Sequence, residues 1–304
     1  MKVVVTGATG LIGSALVDAL RQRGDDVAIM SRNPAGTSQV LGGDVDAYTW
    51  SDPEHEPAPA DAFAGAEAVV HLAGESVDQR WNDDAKRRIR DSRELGTRNL
   101  VAGLKAAGTQ LKTLVSASAS GYYGAHGDER VTEEAPPGDD FLADAVTRWE
   151  REALAAEDVG LRVAAMRTGV VLSPDGGALS RMLPPFKLGV GGPIAGGRQY
   201  MPWIDIDDVV GGYLFALDSD EASGPINLSA PEPVTNKEFS KALGHALKRP
   251  ALAPVPRFAM RALYGEMATI VLTGVRMIPK RLEELGYEFR RPQLDDALTA
   301  AVGR

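Results

Sequence analysis

Short apolar runs alternate with amphipathic stretches through the first 170 residues, the pattern of βαβ units around a parallel sheet. Val3, Val4 and Val5 read as a buried strand. Leu11, Ile12, Ala15, Leu16, Ala19 and Leu20 then recur at helical spacing, and Gly24 stands where such a helix would end. Further strands are predicted over residues 27–30, 68–72, 113–116 and 163–166, with a long basic helix over 83–107. Beyond Arg167 the texture changes. Glycine and proline cluster over 174–202, which predicts a loop-rich stretch. A helix over 207–217 and a strand at Ile226, Asn227 and Leu228 follow. Thr235 with Glu238 three residues on has the form of a capping box opening another helix. The fold class is therefore α/β.

Composition narrows the chemistry. The 304 residues are 44% hydrophobic, enough to bury a sizeable core. A net charge of −9 argues against a general nucleic-acid or membrane-surface binder. The absence of cysteine removes disulfides, thiolate metal sites and a cysteine nucleophile, and four scattered histidines give no zinc pattern, so no metal is expected. No run of ~18 apolar residues is present, and the first residues enter a strand and turn directly, which points to a cytoplasmic protein.

The segment from Thr6 to Gly13, TGATGLIG, lies between the first strand and the first helix. In that context Gly7 permits a tight turn, Gly10 lets backbone approach a pyrophosphate, and Gly13 permits close helix packing. Thr9, Leu11 and Ile12 complete a helix amino end whose free N–H groups and dipole favour phosphate. The second strand ends in Ser31 and Arg32, with no carboxylate to receive a ribose 2′-hydroxyl. Ser31 can donate to a 2′-phosphate and Arg32 can pair with it, which favours NADP(H) over NAD(H); the alternative is that Arg32 is a solvated loop residue. Leu72, Ala73 and Gly74 close a strand where the ribose and nicotinamide end would pass, and His71 reads as a packed histidine rather than a catalyst.

The TGATGLIG start, the HLAG at 71–74 and the SASASGYYG at 116–124 together resemble the extended short-chain dehydrogenase/reductase superfamily, within the NAD-dependent epimerase/dehydratase group. Segments 73–101, 167–179, 196–208, 231–239 and 255–289 narrow the resemblance to its atypical epimerase-like branch, the family 39U type. The resemblance implies a Rossmann doubly wound parallel sheet holding NADP(H) over 1–170, completed at about 205–230. A smaller C-terminal α/β lobe, from 171–204 and 231–304, would bind a small-molecule substrate at a carbonyl or hydroxyl. It also implies a homodimer formed through helices near 83–107 and 140–157.

Typical members use a tyrosine acid/base, a lysine four residues on that lowers its pKa, and a serine that holds the substrate oxygen. Counting back from Glu150, the tyrosine and lysine slots hold Leu142 and Val146, so neither can move a proton. Ser118 best fits the serine, with Ser116 and Ser120 nearby. Tyr122 and Tyr123 stand as substitute phenols or as packing residues. Arg93, ahead of Gly96 and Thr97, takes a slot often held by asparagine. The loss of the pair leaves two readings: an oxidoreductase or epimerase-like enzyme, or an NADP(H)-sensing regulatory or scaffold protein without turnover.

Other substrate contacts come from charge and loop position. Arg80 and Trp81 precede a row of Lys86, Arg90 and Arg93 near one helical face, which either neutralises an anionic substrate or is simply solvated. Gln199 and Trp203 follow a glycine-rich loop suited to a lid. Asp205, Asp207 and Asp208 read as helix caps and loop anchors rather than metal ligands. Met182 to Phe186 form either a cleft wall or lobe core.

Overall fold

The computed structural model describes residues 1–43, 45–108 and 111–303. Seven strands form one parallel sheet: β1 (Lys2–Thr6), β2 (Asp26–Ser31), β3 (Asp46–Thr49), β4 (Ala68–His71), β5 (Thr113–Ala119), β6 (Arg162–Thr168) and β7 (Gly224–Leu228). Their spatial order is β7-β6-β5-β4-β1-β2-β3. The chain builds outward from β1 in one direction, then returns to add β4 to β7 on the other side. The reversal lies between β1 and β4, and a crevice at such a switch point is where doubly wound sheets hold ligands.

Both faces of the sheet are covered, which is why VVV is a continuous apolar run rather than an alternating one. Val3 and Val5 face a layer containing α1 (Leu11–Arg23) and α6 (Ile206–Asp218). Val4 faces the opposite layer, where α3 (Asp83–Ala107) and α4 (Phe141–Leu154) pack on each other. Gly24, with φ 84°, ends α1 in the left-handed conformation that glycine adopts without strain. The edge strand β3 and the short α2 (Pro34–Val40) carry no apolar run and had no periodic signal in the sequence.

Within the stretch expected to be loop, residues Gly177–Lys187 form helix α5, with Pro184 and Pro185 inside it. Leu179, Leu183 and Phe186 recur on its buried face, and both prolines lie in its last turn, so only the two bonds back to the carbonyls of Ser180 and Arg181 are forgone. That face packs in a cluster with Trp203, Phe239, Leu243 and Leu298 from beyond the sheet. The capping box forms: Thr235 and Glu238 exchange hydrogen bonds at the start of α7 (Asn236–Leu247). The outer surface where α3 meets α4, the pairing face implied by the resemblance, bears ion pairs of Glu152 with Arg98 (3.0 Å) and of Glu94 with Arg151 (3.1 Å) rather than an apolar seam. Among the described residues no helix is long and apolar enough to cross a membrane.

His71 ties β1, β4 and α3 together. Its Nδ1 lies 2.7 Å from the Thr6 hydroxyl and its Nε2 3.0 Å from that of Thr97. Thr6 Oγ1 accepts from the amides of Leu72 (3.2 Å) and Ala73 (3.3 Å), so its proton goes to Nδ1 and the imidazole proton sits on Nε2. Burial, aided by the charge of Arg93, lowers the pKa of His71 from 6.5 to about 4. Between those values the unfolded chain binds a proton that the folded chain refuses, so stability is full above pH 6.5 and falls as pH drops toward 4. The expected loss attributable to this ring is about 3 kcal/mol. Urea unfolding across that range should show a steeper acid loss for the parent than for His71→Gln; parallel curves would refute it.

Candidate functional site

The glycine turn is fixed by what surrounds it. Gly7 has φ 68°, and a Cβ there would stand 2.7 Å from the carbonyl carbon of Leu72 and 2.8 Å from the amide of Ala73. A Cβ on Gly13 would stand 2.2 Å from the Gly7 carbonyl oxygen, so α1 rests on the turn itself. Thr9 and Gly10 are exposed. The first backbone bond of α1 runs from Ser14 N to Gly10 O at 2.9 Å, leaving the amides of Leu11, Ile12 and Gly13 ahead of it. No acidic residue lies in the first turn and no side chain caps it. Backbone donors and a positive helix end with no acidic side chain are features that suit an anionic group.

Ser31 and Arg32 divide their expected work unequally. Ser31 Oγ lies 2.7 Å from Thr37 Oγ1 and accepts from the Asn33 amide at 3.1 Å, so it shapes the loop. Arg32 is exposed and makes no hydrogen bond or ion pair among the described residues. It is the free cation at the end of β2.

Past Gly74, the contacts lead into a cavity of about 430 Å³ between the carboxyl ends of β5 and β6 and the segments around 199–202 and 266–275. Arg93 lines it. Its Nη1 donates to the carbonyls of Glu75 and Ile89, both at 2.9 Å, and its guanidinium lies 5.0 Å from the Trp149 ring. A Cβ on Gly74 would come within 3.3 Å of the guanidinium carbon. Burial pulls the Arg93 pKa down to about 10. Trp81 also lines the cavity, edge-on to Phe141 at 5.2 Å, with Nε1 donating to Val77 O at 3.0 Å. Gln199 lines it too, its amide bridging the carbonyls of Ile194 (3.2 Å) and Val271 (2.8 Å). Leu142, Val146 and Met182 complete the apolar wall, while Leu183 and Phe186 turn into the core.

Other expected contacts lie elsewhere. Arg80 is exposed and outside the cavity lining. Trp203 is 1% exposed and donates to Glu232 O at 3.0 Å within the cluster of Phe239, Leu243 and Leu298, so its indole packs rather than meeting substrate. Of the basic row, Lys86 pairs with Glu266 and Arg90 with Asp91 (2.9 Å). Asp205 caps Asp207 N at 2.9 Å and pairs with Arg291 at 2.7 Å, and Asp208 accepts from the amides of Arg290 and Arg291.

Ser118, Tyr122 and Tyr123 do not line the cavity, and each meets Glu150 or Arg167 instead. Side chains alternate along β5, so Leu114, Ser116 and Ser118 share the face toward α3 and α4, while Ala119 has the opposite parity and lines the cavity beside Ser120. Ser118 Oγ donates to Glu150 of α4 at 2.5 Å. Arg167 stands opposite Ser118 in the sheet register and clamps the same carboxylate, Nε to Oε1 at 2.8 Å and Nη2 to Oε2 at 2.7 Å. Its Nη1 reaches the Tyr123 hydroxyl at 2.9 Å, which donates to Asn227 Oδ1 at 2.6 Å. Tyr123 is fully buried, and that burial raises its pKa to about 12 despite Arg167. Tyr122 lies under the Arg167 guanidinium, 3.4 Å from carbon to ring centre, and does not line the cavity. Ser118, Tyr122 and Tyr123 thus belong to a buried structural network. The sequence held one overlooked signal: an arginine inside the apolar strand VAAMRT.

Burial drags the Arg167 pKa downward, but the bidentate bond to Glu150 outweighs it and holds the cation charged. Removing one partner leaves an unpaired buried charge, at a cost of about 3–5 kcal/mol. Denaturant unfolding should show losses of that size for Glu150→Gln and Arg167→Met separately, and a smaller loss in the double variant than their sum. Near-neutral single variants would show that the pair does not hold the sheet to α4.

Residues 3–229 match the NAD dependent epimerase/dehydratase family, and residues 255–301 match a domain of unknown function, DUF1731. An epimerase family protein of Mycobacterium leprae is 41% identical over 99% of this chain and 96% of its own. A chloroplastic epimerase family homologue from Arabidopsis thaliana is 39% identical over 99% of this chain and 87% of its own, so a cytoplasmic location is not common to all such relatives. The crystal structure of human epimerase family protein SDR39U1 with NADPH superposes with a TM-score of 0.88 at 34% identity, covering both chains fully. By its family match, its full-length relatives and its sheet, this chain belongs to the NAD-dependent epimerase/dehydratase family, in the branch of the SDR39U1 proteins.

Proposed function

We propose that the chain binds NADP(H) at the switch point between β1 and β4 and uses it in oxidoreductase or epimerase-like chemistry on a carbonyl or hydroxyl substrate in the adjoining cavity. The observation that carries this reading is the pairing of an unobstructed glycine cradle with the free Arg32 at the end of β2. The amides of Leu11, Ile12 and Gly13 receive the diphosphate, and Gly7, Thr9 and Gly10 leave it room. Arg32 pairs with the 2′-phosphate in a charge-assisted bond and stacks on adenine. Leu72, Ala73 and Gly74, held by Thr6 and His71, guide the far end of the dinucleotide toward the cavity. The human relative solved with NADPH supports this choice of cofactor.

When bound, the cofactor supplies or accepts a hydride. The chain's own contribution is to hold the substrate oxygen and keep water out. Trp81, Phe141, Leu142 and Val146 form an apolar wall, and Arg93 and Ser120 are among the polar groups that line the cavity with them. The hydroxyl for the oxygen is thus assigned to Ser120 in place of Ser118. A second reading has a specific motive: Leu142 and Val146 face the cavity where the family's phenol and ammonium would stand, which suits an NADP(H) sensor without turnover.

Calorimetry should find NADPH bound more tightly than NADH. Arg32→Ala should weaken NADPH about tenfold or more and NADH much less, since only the lost stacking is common to both. Equal affinity of parent and variant for both cofactors would overturn the NADP(H) assignment. NADPH consumption against a panel of aldehydes, ketones and sugar nucleotides separates the readings: turnover lost in Ser120→Ala supports the enzyme, and tight binding without turnover across the panel supports the sensor.

A further inference from the structure

Hydroxyls of Ser120, Thr168, Tyr200, Thr269 and Thr273 line the cavity, and its charged and amide side chains limit what it can hold. Among the described residues Arg93 is the one lysine or arginine in the lining. The two acids there are engaged: Asp140 caps α4 through the Ala143 amide at 2.9 Å, and Glu266 pairs with Lys86. Both amides are engaged as well. Gln199 donates to two carbonyls, and Asn236 accepts from the Ile194 amide at 2.8 Å.

Arg93 is different. Both of its hydrogen bonds leave from Nη1, so Nε and Nη2, the two donors along one edge of the guanidinium, have no partner among the described residues. That edge is the one that meets a carboxylate through two parallel bonds. The guanidinium lies beside Gly74 and 5.0 Å from the centre of the Trp149 ring. The same lining carries Trp81, Ile89, Phe141, Leu142, Val146, Met182 and Ile270.

A nucleoside diphosphate sugar is a poor match to such a wall. Its diphosphate needs several cationic donors where the described lining offers one, and each unmet polar group costs on the order of a kilocalorie per mole or more when buried. One carboxylate on a hydrocarbon body needs only the free edge of Arg93 and an apolar wall. The cavity's about 430 Å³ lies within the usual range of small-ligand pockets. We infer that the substrate class is a compact, largely apolar monocarboxylate, a keto or hydroxy acid, anchored by Arg93 Nε and Nη2. This deepens, and rests on, the reading of the cavity as the substrate site beside NADP(H).

The probes are hydrocinnamate, its primary amide and UDP-glucose, titrated into the full chain by calorimetry with and without saturating NADPH. Hydrocinnamate should bind, its amide should bind at least about tenfold more weakly, and UDP-glucose should not displace it. Arg93→Gln should lower hydrocinnamate affinity about tenfold or more, with Arg93→Lys between the two because a point charge lacks the paired edge. Val146→Asp, placing a like charge in the wall, should lower it as well and keeps the inference open to refutation if Arg93→Gln does not fold. Preference for UDP-glucose, or hydrocinnamate affinity equal in the parent, Val146→Asp and the folded Arg93 variants, would overturn it. Hydrocinnamate held through Arg93 in a protein that fails to bind NADPH would instead overturn the cofactor reading and leave this one standing.

Discussion

The buried bond between Arg167 and Glu150 organises the carboxyl end of this sheet. An arginine on a central strand must be charged, and it can be buried only where an anion meets it with good geometry. Glu150 of α4 supplies both oxygens, Ser118 saturates one of them, and Tyr123 and Asn227 carry the network to β7. Asn227 in turn donates to Ile278 O at 2.9 Å, so the chain beyond the sheet is pinned to the same cluster. Helix, three strands and the C-terminal segment share one electrostatic knot.

That knot explains the character of the cleft. Ser118 and Tyr123, which could have carried proton chemistry near β5, are committed to bonds with Glu150, Arg167 and Asn227. What remains on the cleft side is Ala119 on the strand, Ser120 just beyond it, and the apolar Leu142 and Val146 of α4. Among the described residues, Arg93 is the one basic side chain in this lining. Low polarity strengthens any interaction that charge makes and raises the cost of leaving it unmet, so a single anionic group is the natural complement.

The cofactor end follows a different rule. There the contacts are backbone: a turn that admits no Cβ at Gly7 and Gly13, and a helix end with open amides. Because backbone geometry is local, the segment from Thr6 to Gly13 announces it in eight letters. The same holds for Gly24 at the end of α1, for the Thr235 and Glu238 box, and for the paired aspartates that cap and anchor around α6. Local misreadings were also local in cause. Helix α5 was hidden by prolines that its last turn tolerates, and the edge strand β3 by the absence of any buried face.

Side-chain roles that depend on two distant segments were a different matter. Ser118 and Tyr123 fit a motif by position, but only the register of β5 against β6 sets Ser118 opposite Arg167. Trp203 sits after a lid-like loop, but its ring finds the core because Phe239 and Leu298 arrive there from later helices. The sequence alone thus determined the doubly wound scaffold and the dinucleotide turn, since both arise from periodicity and backbone sterics within a few residues. The tertiary structure alone decided which polar groups are free to act. Whether a hydroxyl or guanidinium is spent depends on partners that the chain supplies from dozens of residues away.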